Sequence, residues 1–134
     1  MALARDWFDD GSVFVVDVPL ACCALETQAA ERDRPGIDPA SVPDGATLVV
    51  TLSGTITEPV VPAIRHTLDS LPRRPVVVAF GACACIGGPY WDSYAVVRGA
   101  ESFVDVDHFI AGCPPPPSAL DGFLDDLRGQ RARA

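Results

Sequence analysis

The stretch "LACCALE" sets two cysteines side by side, Cys22 and Cys23, with the carboxylate of Glu26 three residues beyond. Neighbouring cysteines seldom bridge each other, because a disulfide needs converging Cβ vectors that a trans backbone does not provide at adjacent positions. Three more cysteines follow: Cys83 and Cys85 in "GACACIGG", and Cys113 in "AGCPPPP". Thiolates bind zinc, ligate iron–sulfur clusters or carry redox chemistry. With five cysteines, at least one is left outside any disulfide framework.

The elements that must position these thiols are legible from hydrophobic patterning. Four segments read as strands: "SVFVVDV" (12–18), "TLVVTLSG" (47–54), "PVVVAFGA" (75–82) and, more weakly, "VDVDHFIAG" (104–112). The first three are dense in Val, Leu, Ile and Phe without strict alternation, as in strands covered on both faces. Helical patterns lie between and after them. In "TEPVVPAIRHTLDSLP" one face collects Val60, Val61, Ile64, Leu68 and Leu71; Pro59 and Pro62 fall near the first turn, and Pro72 stops the helix. In "SALDGFLDDLRG" a Ser118–Asp121 pattern predicts a cap. Leu120, Phe123, Leu124 and Leu127 form the apolar stripe there, Asp125 and Asp126 face out, and Gly122 weakens the pattern. The segment "ERDRPGIDPASVPDGA" (31–46) reads as an exposed loop, and "RGQRARA" (128–134) as a frayed basic tail.

Alternation of strand and helix predicts an α/β fold: a flavodoxin-like, doubly wound parallel sheet of about four strands with helices on both faces. Such sheets bind ligands beyond the carboxyl ends of their strands. Cys22 and Cys23 follow the first predicted strand, Cys83 and Cys85 the third, and Cys113 the fourth. All five thiols are therefore expected on one rim.

Several ligands remain open on residue chemistry alone. Structural zinc sites draw on Cys-x₂₋₄-Cys pairs, whereas a single residue separates Cys83 from Cys85. Thiolates spread over distant loops suit a cubane better, because its corners accept ligands from several directions. Buried or redox-active thiols are the third reading. Flavin would need a hydroxyl- and glycine-rich phosphate loop after the first strand, where "PLACCALE" stands instead.

The chain has 134 residues, 49% apolar and 21% charged, which suits one compact domain over 1–134. A net charge of −8 argues against nucleic acid or an anionic membrane surface as main partner. The longest apolar run, "SVFVVDVPLACCAL", is broken by Asp17 and Pro19 and is too short to span a bilayer. The start "MALARDWFDDG" lacks the apolar core of a signal peptide, so a cytoplasmic location is expected, where disulfides are rare.

The segments "LACCALE", "LSGTITEPVVPAIR", "VVVAFGACACIGGPYWDSYAVVRG" and "VDVDHFIAGCPPPPSAL", in this order, closely resemble the B-type (20 kDa) family of respiratory complex I subunits, from NADH:quinone oxidoreductase. They also resemble the small subunits of complex-I-related, membrane-bound [NiFe] hydrogenases. The resemblance covers about residues 13–127. It implies that Cys22, Cys23, Cys83 and Cys113 ligate one [4Fe-4S] cluster, and it gives Cys85 no ligand role. Gly81, Gly87, Gly88 and Gly112 would let backbone approach the cluster, and Pro114–Pro117 would stiffen its last loop. Glu26 would be either a carboxylate coupling proton to electron transfer or a helix N-terminal anion. His66 and His108 are expected to be structural, and Tyr90, Trp91 and Tyr94 to be packing or interface aromatics.

The resemblance further implies an electron-transfer subunit that is not an enzyme alone. Its partners would be a homologous large subunit (D-type or hydrogenase) and a ferredoxin-like electron-transfer subunit, in a complex at the cytoplasmic face of a membrane. The tandem cysteines after Leu20–Ala21 look like the quinone branch, while "GGPYWDSY" looks like the hydrogenase branch. Pro116 stands where both branches often carry arginine, and the chain starts almost at its first strand. Both branches stay open, beside a zinc- or thiol-bearing structural or regulatory domain.

Overall fold

The structure is a computed structural model. It describes residues 4–8, 11–19, 36–43, 45–54, 56–72, 74–81, 84–85, 99–100, 104–110, 112 and 115–133. Among these residues six strands form one sheet: β1 (Ala4–Asp6), β2 (Val13–Pro19), β3 (Gly36–Ile37), β4 (Thr47–Ser53), β5 (Val76–Phe80) and β6 (His108–Ile110). Among the described residues two α-helices accompany them, α1 (Val61–Asp69) and α2 (Pro117–Arg133). The order across the sheet is β3-β1-β2-β4-β5-β6. β2, β4, β5 and β6 are mutually parallel and correspond to the four expected strands. β1 runs antiparallel to both β2 and β3.

Period-two alternation divides the core. Phe14, Val16, Leu48, Val50, Leu52, Val77 and Ala79 pack on one face with Ile64 of α1. Val13, Val15, Val49, Val78, Phe80 and Ile110 pack on the other with Leu120 and Leu124 of α2. Both faces are thus apolar and both carry a helix, which is why the strands read as near-continuous hydrophobic runs. Full burial of a leucine such as Leu120 or Leu124 contributes about 1.5–3 kcal/mol.

α1 matches its predicted stripe. Ile64 is fully buried, while Val60, Val61, Leu68 and Leu71 pack partly buried against the same cluster. A short 3₁₀ turn at Glu58–Val60 precedes it, with Pro59 inside the turn and Pro62 in the first turn of α1. Neither position owes a hydrogen bond to an earlier carbonyl, so proline is tolerated there.

Three expectations are corrected. The helix α2 starts at Pro117 rather than at a Ser118 cap, with the Ala119 N–H donating to the Pro116 carbonyl at 3.0 Å. Asp121 instead accepts a 2.9 Å hydrogen bond from Trp7 Nε1 across 114 residues of chain. The stretch expected to fray stays helical to Arg133, and Arg128 Cζ sits 4.6 Å from the centre of the Phe8 ring. Tertiary contacts to the N-terminal segment hold a turn that composition alone leaves marginal.

The third correction concerns 31–46. Its described part contains β3, and Val42 and Ala46 are buried in the core. Asp38 Oδ1 accepts from the Ala40 N–H at 3.0 Å and starts a 3₁₀ turn at Pro39–Ser41. Two apolar anchors are enough to seat a segment whose prolines and aspartates otherwise signal exposure. Because the Trp7–Asp121 bond closes such a long loop onto a carboxylate, Asp121→Ala should destabilise the fold by about 1–2 kcal/mol. A lowered urea midpoint with an unchanged slope would register this.

Candidate functional site at the carboxyl rim of the sheet

The register of the parallel strands aligns their carboxyl ends. Pro19 pairs with Ser53, Ser53 with Phe80, and Phe80 with Ile110. One transverse row of backbone therefore ends β2, β4, β5 and β6 together, and the chain leaves the sheet on a single rim. Cys22 and Cys23 follow Pro19 by three and four residues; Cys83 follows Phe80 by three, and Cys113 follows Ile110 by three. Those four cysteines and Glu26 lie outside the described residues, as do Tyr90, Trp91, Tyr94, Gly87, Gly88 and Pro114.

What is described at the rim is tightly built. Gly81 has φ 97°, and its N–H donates to the Ile110 carbonyl at 2.8 Å, joining the ends of β5 and β6. Cys85 N–H donates back to the Gly81 carbonyl at 3.0 Å. The Cys85 thiol is half-buried and donates to the carbonyls of Ala79 at 3.4 Å and Ile110 at 3.7 Å. It also packs against the α1-side core. Its role as a small buried residue beside the rim is thus supplemented by two weak sulfur hydrogen bonds.

Burial pushes the Cys85 thiol up from its ordinary pKa. A thiol that keeps its proton longer when folded stabilises fully below the unfolded pKa, and loses that contribution as pH rises through the folded value. The fold should therefore lose stability on the alkaline side at this residue. Peptide mapping after alkylation at neutral pH should show Cys85 modified slowly in the native chain and readily after unfolding.

Gly112 precedes Cys113 directly and has φ 148°. A Cβ built there would lie 2.7 Å from both Cα and N of Pro115. Chain and proline run close together at this point, so only glycine fits without displacing backbone.

On the α2 side, β2 and β4 carry a polar group that sequence reasoning missed. Asp17 is 9% exposed, and its Oδ1 accepts 2.7 Å hydrogen bonds from both Thr51 Oγ1 and Ser53 Oγ. Thr51 and Ser53 are fully buried. The available signal was a lone carboxylate inside "VFVVDV", where it breaks an otherwise apolar strand. Among the described residues, every buried side-chain nitrogen and oxygen has a partner.

The histidines lie elsewhere. His66 is on the exposed side of α1. His108 opens β6 at the end opposite the rim and stacks on Phe123 with ring centres 4.1 Å apart and planes 12° apart, a structural contact as expected. An open cleft of about 320 Å³ beside it is lined by Val76, Asp107, His108, Phe123, Asp126 and Leu127. Asp107 there is committed to the Val77 N–H at 2.8 Å and to Arg74 at 3.3 Å.

Fold and rim together define a parallel-dominated α/β domain whose strand ends feed cysteine-bearing loops. Residues 22–127 match the family described as NADH ubiquinone oxidoreductase, 20 Kd subunit, and the chain belongs to that family. It is 43% identical over 121 residues to a B-type NADH-quinone oxidoreductase subunit of Salinispora tropica, covering 86% of this chain and 64% of the relative. It is 40% identical over 126 residues to the corresponding B-type protein of Streptomyces griseus, covering 90% and 53%. For that of Heliobacterium modesticaldum the identity is 39% over 128 residues, covering 89% and 71%. The chain thus spans little more than half to about two thirds of the length of the first two relatives. Among solved structures, a chain of an archaeal membrane-bound sulfane sulfur reductase, a respiratory membrane complex, superposes with TM-score 0.69 at 22% identity. That likeness covers 96% of this chain and 75% of the other, and supports the flavodoxin-like fold.

Proposed function

We propose that this chain is an electron-transfer subunit of a complex I-like oxidoreductase, holding one [4Fe-4S] cluster through Cys22, Cys23, Cys83 and Cys113. The observation that carries the reading is the match to the 20 kDa subunit family over 22–127, a span that contains all four cysteines. The rim supports it. The strands leading to the three cysteine-bearing loops end in one register row, and Gly81 and Gly112 leave no side chain between backbone and whatever the loops hold. Four thiolates from three loops form a donor set that suits an iron–sulfur cubane.

A bound cluster supplies a one-electron relay. The chain's own residues supply the rest: thiolates that bind it, glycine backbone that approaches its sulfurs, and an apolar sheet beneath that excludes water. Glu26, close in sequence to the tandem pair, would hold a proton coupled to that electron. The relatives are named as NADH-quinone oxidoreductase components, which favours exchange of electrons with a quinone-type site at the interface with a large D-type subunit over a nickel–iron site. A ferredoxin-like subunit would deliver the electrons. Among the described residues no helix is long and apolar enough to cross a membrane, in keeping with a peripheral place at the cytoplasmic face of a membrane complex.

Anaerobically purified protein should be brown, contain about four irons per chain, and give an EPR signal on reduction. A colourless chain carrying one zinc would point to the structural or regulatory reading instead. A co-purifying large subunit with two Cys-x-x-Cys pairs would mean hydrogenase chemistry, and one without them quinone chemistry.

A further inference from the structure

The cleft beside His108 has no part in the proposed relay. It lies where β5 and β6 begin, at the end of the sheet opposite the rim, and α2 forms its other wall. Phe123, Asp126 and Leu127 fall at i, i+3 and i+4 of α2 and so share one helical face, set against Val76, Asp107 and His108. Val76, Phe123 and Leu127 pack partly buried on the α2-side core and give the cleft its apolar surface. The His108 and Phe123 rings add a flat one, stacked within 12° at 4.1 Å. Charge comes from two carboxylates. Asp107 is held by the Val77 N–H at 2.8 Å and takes the Arg74 guanidinium at 3.3 Å. Asp126 is exposed and, among the described residues, has no hydrogen bond or ion pair.

We propose that this cleft seats an arginine side chain from a partner protein. The class of occupant follows from charge and shape. A long side chain laid on Val76 and Leu127 buries its methylenes while its charged head meets the Asp126 carboxylate. A guanidinium suits the cleft better than an ammonium. It is planar, bonds a carboxylate through two N–H groups and lies flat on an aromatic ring. Asp107 with Arg74 shows this pairing once within the chain itself. A net charge of −8 draws basic partners over longer range. The volume of about 320 Å³ is at the lower end for small-molecule sites, and the cleft is open, whereas such sites enclose most of their ligand. One protruding side chain fits an open cleft, and arginines seated in this way are frequent anchors of protein interfaces. The inference stands with or without a bound cluster, because it uses no residue of the rim.

The test follows backbone amide chemical shifts of the full chain at low ionic strength, titrated with the blocked tripeptide Gly-Arg-Gly. The probes for comparison carry lysine or uncharged citrulline in place of arginine. Saturable shifts are expected at Asp107, His108, Phe123 and Asp126, with a dissociation constant on the order of 1 mM for the arginine peptide. The lysine peptide should bind several-fold more weakly, and the citrulline peptide not at all. Asp126→Asn should weaken arginine binding about fivefold. Asp125→Asn, an equal charge change at an exposed α2 position that does not line the cleft, should leave it unchanged. Absence of saturable shifts overturns the proposal, as does equal affinity for the lysine or citrulline peptide. Equal losses in the two aspartate variants also overturn it, since net charge alone would then explain binding. Sedimentation of the free chain covers the remaining occupant. Concentration-dependent dimers that Asp126→Asn dissociates would assign the cleft to the arginine-rich end of a second copy and overturn the assignment to a different protein.

Discussion

Replacing Cys113 with alanine should strip or convert the cluster, whereas Cys85→Ala should keep about four irons per chain. The contrast is large because the two thiols stand in different relations to the rim. Cys113 follows Gly112 in the chain, and the proposed cluster would take it as one of its four ligands. Removing one thiolate from four leaves an iron corner without a protein ligand. Cys85 spends its thiol on the carbonyls of Ala79 and Ile110, at 3.4 and 3.7 Å, and packs against the core. Truncating it costs two weak hydrogen bonds and a small volume, about 1–2 kcal/mol, which the fold should survive. Iron analysis and visible absorbance of the two variants, prepared side by side, read the difference directly. Iron lost from Cys85→Ala and retained in Cys113→Ala would overturn the ligand assignment.

The second large effect is expected at a residue with no side chain. Gly112→Ala should destabilise the protein by about 3 kcal/mol, combining strain at φ 148° with a contact no rotamer can relieve. The new Cβ would meet Cα and N of Pro115 at 2.7 Å and its Cβ at 2.9 Å. Two of those atoms are backbone of a proline, so the backbone at Gly112 or Pro115 must shift. Gly122→Ala is the matched control. Its Cβ would meet nothing within 4 Å, and Gly122 lies inside α2, where alanine is the better helix former by about 1 kcal/mol. The same substitution should therefore lower the denaturant midpoint at one glycine and raise it at the other. The first variant should also bind less iron.

How much of this was legible in the sequence follows from what each signal measures. The four parallel strands announced themselves because a strand covered on both faces must be apolar throughout, as in "VFVV" and "PVVVAF". α1 and α2 were legible from the spacing of Ile64, Leu120 and Leu124, which helical geometry requires of any face that packs on a sheet. The tandem cysteines and the "GCPP" loop carried the family, because few arrangements of ligand residues satisfy one cluster. β1 and β3 escaped notice. They span three and two residues, too few for periodicity to register, and form because the edge of β2 offers backbone hydrogen bonds to β1, and β1 in turn offers them to β3.

By itself, then, the chain's order of residues determined the strand and helix segments, the donor chemistry and the rim on which it is expected, because these depend on local period and on residue type. Tertiary structure alone decided which distant groups meet. Trp7 finds Asp121, Arg128 covers Phe8, and Asp17 collects the hydroxyls of Thr51 and Ser53. Such pairs join positions far apart in the chain through strand register and helix docking, and no local pattern encodes a register. A buried carboxylate reads as an interruption in an apolar strand until the neighbouring strand is set beside it.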